Sequence, residues 1–189
     1  MMEKGIESMC KDFSMSILDS QKNNIAIVNE YPFLKIDDDC HFTWLDSLEV
    51  GWRRHFGAEL CYELKKALIK DNCLDKFHFL DIKEKYGALR LYAWGYGDNA
   101  HDVLAKYEEL SKYICGHCGN PARYITNGWI YPLCEHCIKE INGSYTLIEN
   151  FYDFPSYQDV IDEIDLIKTD FQYDRYWKSF NKDENEFKD

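Results

Sequence analysis

No stretch of this chain stays apolar over the ~20 residues that a bilayer crossing takes. The opening residues, MMEKGIESMCKDFSMSILDS, do not follow the order of charged head, apolar middle and small-residue cleavage site that marks an export signal. These absences predict a cytoplasmic protein that does not engage a membrane and keeps its thiols reduced. Basic side chains are also scarce. Twenty-two Lys and Arg face 34 Asp and Glu, a net charge of −12. Such a surface repels nucleic-acid phosphates at long range and attracts basic partners, which weighs against ordinary DNA or RNA binding. Motifs for chemistry are missing too. The glycines of AWGYGDN form a lone Gly-x-Gly, no serine sits in a Gly-x-Ser-x-Gly elbow, and the carboxylates have no glycosidase-like or metal-binding spacing. Nothing repeats except one cysteine pattern.

What is present suffices for a packed core. Of 189 residues, 46% are hydrophobic and 16% aromatic, which excludes global disorder. Fourteen Tyr, eleven Phe and five Trp exceed what one small core takes up. Either some of them lie at an interface, or the coding genome has a biased base composition.

The apolar pattern changes period along the chain. NNIAIVNEYPFL reads as a strand or extended segment ending at Pro32, and KIDDDCHF as a polar loop. TWLDSLEVGWRRHF opens like a helix, with Thr43 and Asp46 spaced as a capping box and Trp44, Leu45, Leu48, Trp52 and Phe56 forming a stripe. The stripe resumes after Gly57 with Leu60, Cys61, Leu64 and Leu68, so the segment is one kinked helix or two helices meeting at Gly57. From Phe77 the period falls to two, which predicts a β-hairpin turning near Tyr86-Gly87. Residues 99–114 predict an amphipathic helix capped by Asn99 or Asp98. SMSILDS near the start reads as a short helix. Ser156 and Asp159 resemble a second capping box, ahead of a helix with Val160, Ile161, Ile164 and Ile167 facing inward. From residue 144 on, twelve acids meet five bases.

The pattern with chemical content is CGHCGNPARYITNGWIYPLCEHC, two Cys-x-x-Cys pairs with fifteen residues between them. Two cysteines three apart can place both thiolates on one ion when the backbone turns as a knuckle, and a second pair closes the tetrahedron across a short hairpin. Asn127-Gly128 supplies a two-residue turn signal for that hairpin, and Gly119 suits the positive φ a knuckle needs. Cys115, Cys118, Cys134 and Cys137 are therefore expected to bind one structural Zn2+, zinc being favoured over iron for a four-cysteine cytosolic site. Four protein ligands leave no position for a reactive water, so His117 and His136 are read as exposed or as hydrogen-bond donors nearby. Cys10, Cys40, Cys61 and Cys73 have no ligand spacing. Cys61 reads as a small buried hydrophobe, and a second metal site built from these four plus a histidine is the weaker alternative.

The fold class expected is α+β: helices packed on a small antiparallel sheet over 1–114, a fused four-cysteine zinc ribbon over 115–143, and an acidic helical C-terminal segment over 144–189. GWRRHF is the one basic cluster. Arg53, Arg54 and His55 could clamp an anion, but they also form the polar face that an amphipathic helix requires. Arg123 and Trp129, on the expected ribbon hairpin, are the other candidate partner contacts. Between Lys112 and Gly143, however, three bases meet two acids, which makes no strong cationic surface.

In order, YPFL, WLDSLEVGW, IKEKYGALRLY, YEELSKYICGHCG and GWIYPLCEHC resemble a family of small zinc-binding proteins of unknown function from bacterial genomes, phages and prophages. The likeness spans residues 31–137. It departs from the family pattern at Ala88, where a second glycine is usual, and at Pro132, where threonine is. The resemblance implies the fold and a mobile-element setting, and no activity. The leading expectation is thus a non-catalytic acidic zinc-binding module that binds a protein with a basic surface. Its sharper form is a phage accessory or inhibitor of a host defence protein, of immunity or nucleic-acid-mimic type. A zinc-ribbon nucleic-acid-binding protein, with Arg123, Trp129, Arg53 and Arg54 at the contact, is the alternative. A small hydrolase or nucleotide-processing enzyme is the third.

Overall fold

The computed structural model describes residues 22–151, and these form an α+β fold of three helices and two small antiparallel sheets. The expected helices at SMSILDS and after Ser156 lie outside the described residues. None of the described helices is long and apolar enough to cross a membrane.

Helix α1 covers residues 22–30, where an extended segment was expected. Its β-branched run IAIV favours a strand locally, but Asn24, Ile27 and Tyr31 recur at helical spacing and all three are buried. Packing of that face overrides the local preference. Pro32 then opens a 3-10 turn, Pro32–Leu34.

Thr43 and Asp46 do pair at a helical start: the Asp46 carboxylate accepts both the backbone N–H (2.6 Å) and the hydroxyl of Thr43. What they start is a single 3-10 turn, Trp44–Ser47, and the chain is extended again at Leu48. Helix α2 begins at Val50 and runs unbroken to Lys70. Gly57 therefore neither kinks nor divides it. The break falls earlier than Gly57, between Leu48 and Val50.

Strands β1 (His78–Lys85) and β2 (Ala88–Trp94) form the expected hairpin. Tyr86 and Gly87 both have positive φ, as a two-residue turn of this type demands. An irregularity between Phe79 and Asp81 adds one residue to β1. It explains why the buried positions run Phe79, Ile82 instead of keeping strict alternation. The outer edge of β2 is closed by side chains of helix α3 (Asp98–Ser111): the Leu89 N–H donates to Ser111 Oγ (2.8 Å) and the Leu91 N–H to Glu108 Oε1 (2.6 Å).

The cap of α3 comes from neither Asn99 nor Asp98. Asp71, just past the end of α2, accepts from the backbone N–H of Ala100 at 2.9 Å and from the Asn99 side chain. These bonds, led by the one from Asn99, hold its carboxyl below the usual range. One carboxylate thus ends one helix and starts the next. The core lies between α2, α3 and the hairpin, centred on Trp52, Leu64, Leu68, Leu89 and Tyr107. Phe56 and Tyr107 meet across the helix interface at 5.3 Å.

The second sheet has the order β4-β3-β5, with β3 Tyr124–Thr126, β4 Pro132–Leu133 and β5 Tyr145–Leu147. Strand β5 lies beyond the expected ribbon boundary at 143, within the segment expected to be helical. From residue 152 that segment lies outside the described residues.

Candidate metal centre

The Sγ atoms of Cys115, Cys118, Cys134 and Cys137 all lie within 4.8 Å of one another, and those of Cys118 and Cys134 are 3.6 Å apart. Four thiolates about 2.3 Å from one ion form a tetrahedron with edges of about 3.8 Å, so the cluster fits a tetrahedral metal ion. Among the described residues it is the only group of three or more Cys, His, Asp or Glu so placed. No disulfide links the described cysteines.

The first pair sits on a knuckle whose geometry is visible in the backbone. The Gly119 N–H donates to the Cys115 carbonyl (2.9 Å), the Cys115 N–H to Asn120 (2.8 Å), and Gly119 takes a φ of 81°. The second pair follows β4, and the Cys137 N–H points at Cys134 Sγ. His117 is exposed and its Nδ1 lies 3.4 Å from Cys137 Sγ, a contact beside the cluster and not a ligand position. His136 is exposed, 3.9 Å from Glu140.

Without a cation the site is electrostatically awkward. Burial pushes the Cys115 thiol up to about 11, even though the N–H groups of Cys118, Cys134 and His117 act against it. Burial and the neighbouring Cys115 raise Cys137 as well. At Cys134 burial also pushes upward, but the N–H of Cys137 and the Cys118 thiol outweigh it and hold the group below its ordinary value. A divalent cation removes the cost of gathering these thiolates, at the expense of their protons.

The knuckle is clamped to the first two turns of α2. The Gly51 N–H donates to the Gly116 carbonyl (2.7 Å), Trp52 Nε1–H to Ile114 (3.0 Å), and His55 Nδ1–H to Gly119 (2.6 Å). The approach is so close that a Cβ on Gly51 would fall 2.0 Å from the Cys115 oxygen. In GWRRHF, then, Gly51, Trp52 and His55 hold the cysteine knuckle. Phe56 packs into the core against Tyr107, and Arg53 pairs with Asp46 at 2.9 Å. A glycine beside a tryptophan in the first turn of a helix was the available signal for this contact.

The hairpin after the knuckle is looser than expected. The register Ile125↔Pro132, closed by the Thr126 N–H on Tyr131, leaves a four-residue loop of Asn127, Gly128, Trp129 and Ile130. The two-residue turn expected at Asn127-Gly128 is not formed, although Gly128 does take a positive φ. The longer loop carries Trp129 out to 76% exposure. Arg123 pairs with Glu135 at 3.2 Å. Grooves of 280 and 430 Å3 flank Trp129, and neither is lined by Arg53, Arg54 or Arg123. The four expected contact residues do not come together in either of these two grooves.

Of the other cysteines, Cys61 is fully buried, and burial raises its thiol strongly. Cys40 is buried at a residue of positive φ, and Cys73 is half-buried. No protein-family model, curated protein or solved structure matches the chain.

Proposed function

We propose that the protein is a non-catalytic protein-interaction module whose ribbon is held by one Zn2+ on Cys115, Cys118, Cys134 and Cys137. The donor set supports zinc: four thiolates saturate a tetrahedral ion and leave no coordination site for a substrate. Metal analysis of the purified chain tests this part. One zinc per chain, lost when Cys118 and Cys134 are both changed to Ser, is the expected result.

One observation carries the interaction reading: Trp129 stands in solvent on a loop anchored directly to the metal centre, next to Tyr86, which is 71% exposed. Aromatic side chains of this size, exposed on a rigid support, are the residues that dominate protein interfaces. The partner in this reading has a basic surface, in keeping with the net charge of −12. That charge is unevenly spread. Residues 22–151 hold 19 acids and 15 bases, so most of the excess belongs to the two ends of the chain. The inhibitory form of the reading, in a phage or mobile-element setting, rests on the sequence resemblance alone. Capture of partners from a host lysate with full-length protein and with Trp129→Ala tests the reading. The expected result is a partner that is retained at low salt and lost on the substitution. Identical captures with both proteins would sink it.

A second reading has its own observation. The solvent face of the β1–β2 hairpin pairs Lys83 with Arg90 and His78 with Trp94, with Tyr92 between them and Lys85 toward the turn. Lys83 lies over the Tyr92 ring at 5.0 Å, and Asp81 is its ion-pair partner. Cations interleaved with exposed rings are what single-stranded nucleic acid requires. Titration with oligothymidylate at two salt concentrations, using wild type and the Lys83→Glu, Arg90→Glu double variant, decides this reading.

A further inference from the structure

The larger groove beside Trp129 has a composition suited to one kind of guest. Its walls include the exposed indole of Trp129, the ring of Tyr131 and Ile141, with Asn142 and Ser144 at the rim. Among the described residues, Glu49, which precedes α2, brings in the one carboxylate of the lining, and no Lys or Arg lines it. The carboxylate is fixed: Tyr131 donates its hydroxyl to Glu49 Oε2 at 2.7 Å. Tyr131 is fixed in turn, because its hydroxyl oxygen would lie 2.3 Å from any Cβ on Gly116, inside the metal knuckle. The opposite wall is tied to the ribbon by the Asn127 N–H on the Ser144 carbonyl (2.9 Å) and by the Thr146 hydroxyl on Asn127 (3.0 Å).

We propose that this groove is a receptor for a cationic side chain, Lys or Arg, of a protein partner, lodged against Trp129 with its charge on Glu49. The proposal builds on the interaction reading above and specifies what the partner presents. The physics is that of aromatic recognition of cations. An indole face attracts a cation through its quadrupole, and a carboxylate that has already given up part of its hydration to a tyrosine hydroxyl completes the neutralisation. The volume, 430 Å3, accommodates a long side chain and a few waters. Glu49 makes the site selective for charge, and Trp129 makes it selective for a flat or alkylated cation over a hydrated metal ion. Because the Tyr131 wall rests on Gly116, the groove exists only while the knuckle is held.

The test uses full-length, metal-loaded protein labelled with 15N and follows the indole Nε1–H resonances. The probe is acetyl-Gly-Arg-Gly-amide, and its citrulline analogue is the neutral isostere. The arginine peptide is expected to shift the Trp129 signal in a saturable, salt-sensitive way, with the citrulline peptide at least about tenfold weaker, as loss of one charge-assisted contact implies. Glu49→Gln keeps an acceptor for Tyr131 and removes the charge, and is expected to abolish the difference between the two peptides. Equal binding of both peptides to the wild type would overturn the proposal. So would an unchanged preference in Glu49→Gln, or a Trp129 shift produced by oligothymidylate and not by the arginine peptide. A lysate partner that depends on Trp129 but is indifferent to Glu49→Gln would leave the interaction reading standing and remove this one. Arginine-peptide binding without any such partner would keep the cation site and overturn its assignment to a protein partner.

Discussion

Gly51 and Gly57 sit six residues apart on one helix, and their surroundings give them opposite roles. A Cβ at Gly51 would strike the backbone of Cys115, Gly116 and Gly119. Gly51→Ala is therefore expected to displace the knuckle and to lower metal occupancy in the purified protein. At Gly57 the same methyl would meet Arg53 Cγ at 3.6 Å and Leu45 Cδ2 at 3.7 Å, ordinary contacts. Gly57→Ala should raise stability by about 0.5–1 kcal/mol in urea unfolding, because a helix interior favours Ala over Gly by that amount. A buried thiol supplies a pH signature. Cys61 has an ordinary value of 9.0, and burial, aided by Glu59, raises it in the folded state. The unfolded thiol therefore loses its proton first. Its stabilising share is intact below pH 9 and declines as pH rises toward the folded value, by about 1.4 kcal/mol per pH unit. Cys61→Ala should flatten the alkaline limb of the stability–pH curve by that slope. An unchanged limb would place the loss in the tyrosines Tyr107, Tyr113 and Tyr131, which burial raises in the same direction.

Elements set by local pattern were legible in the sequence, and those set by distant partners were not. The β1–β2 hairpin, α3 and the Cys-x-x-Cys knuckle each carry their instructions within a few residues: period, turn glycine and ligand spacing. α1 does not, because its strand-like IAIV run is overruled by a face that forms only against the core. The cap of α3 leaves no local signal, because its carboxylate, Asp71, lies 28 residues earlier than Asn99. The four cysteines of the candidate site were all legible. Its supports, Gly51, Trp52 and His55, were read as part of an amphipathic helix, since a contact over more than sixty residues leaves no periodic trace. The edge of β2 belongs to the same class. Ser111 is fully buried and its hydroxyl takes the Leu89 N–H while donating to the Glu108 carbonyl. Ser111→Ala strands that buried N–H and is expected to cost about 1–3 kcal/mol in urea unfolding. Ser111→Thr, which keeps the hydroxyl, should cost less wherever the extra methyl fits.

On the scale of the whole molecule, the metal centre and the helical core share too many contacts to behave as separate units. Gly51, Trp52 and His55 are bonded to the knuckle on one side, and Trp52 is wholly buried among the core residues on the other. A four-thiolate zinc site contributes about 10–16 kcal/mol of binding free energy in small zinc domains, comparable to or larger than the 5–15 kcal/mol that holds a typical domain together. In the proposed zinc-bound form, removing the ion at neutral pH leaves four gathered thiols, three of them buried, to take back protons. The ribbon sheet should then open. The question is how far the opening spreads, and Trp52 reports it. If the knuckle and α2 form one cooperative unit, a strong chelator should red-shift Trp52 emission together with loss of helical circular dichroism, in one transition. If the ribbon melts alone, helical signal persists while only Trp129 and the ribbon resonances change. The three hydrogen bonds, and a backbone approach at Gly51 that leaves no room for a Cβ, predict the first outcome. Trp52→Phe, which deletes the bond to Ile114 and retains an apolar ring, should shift the response toward the second by uncoupling α2 from the metal.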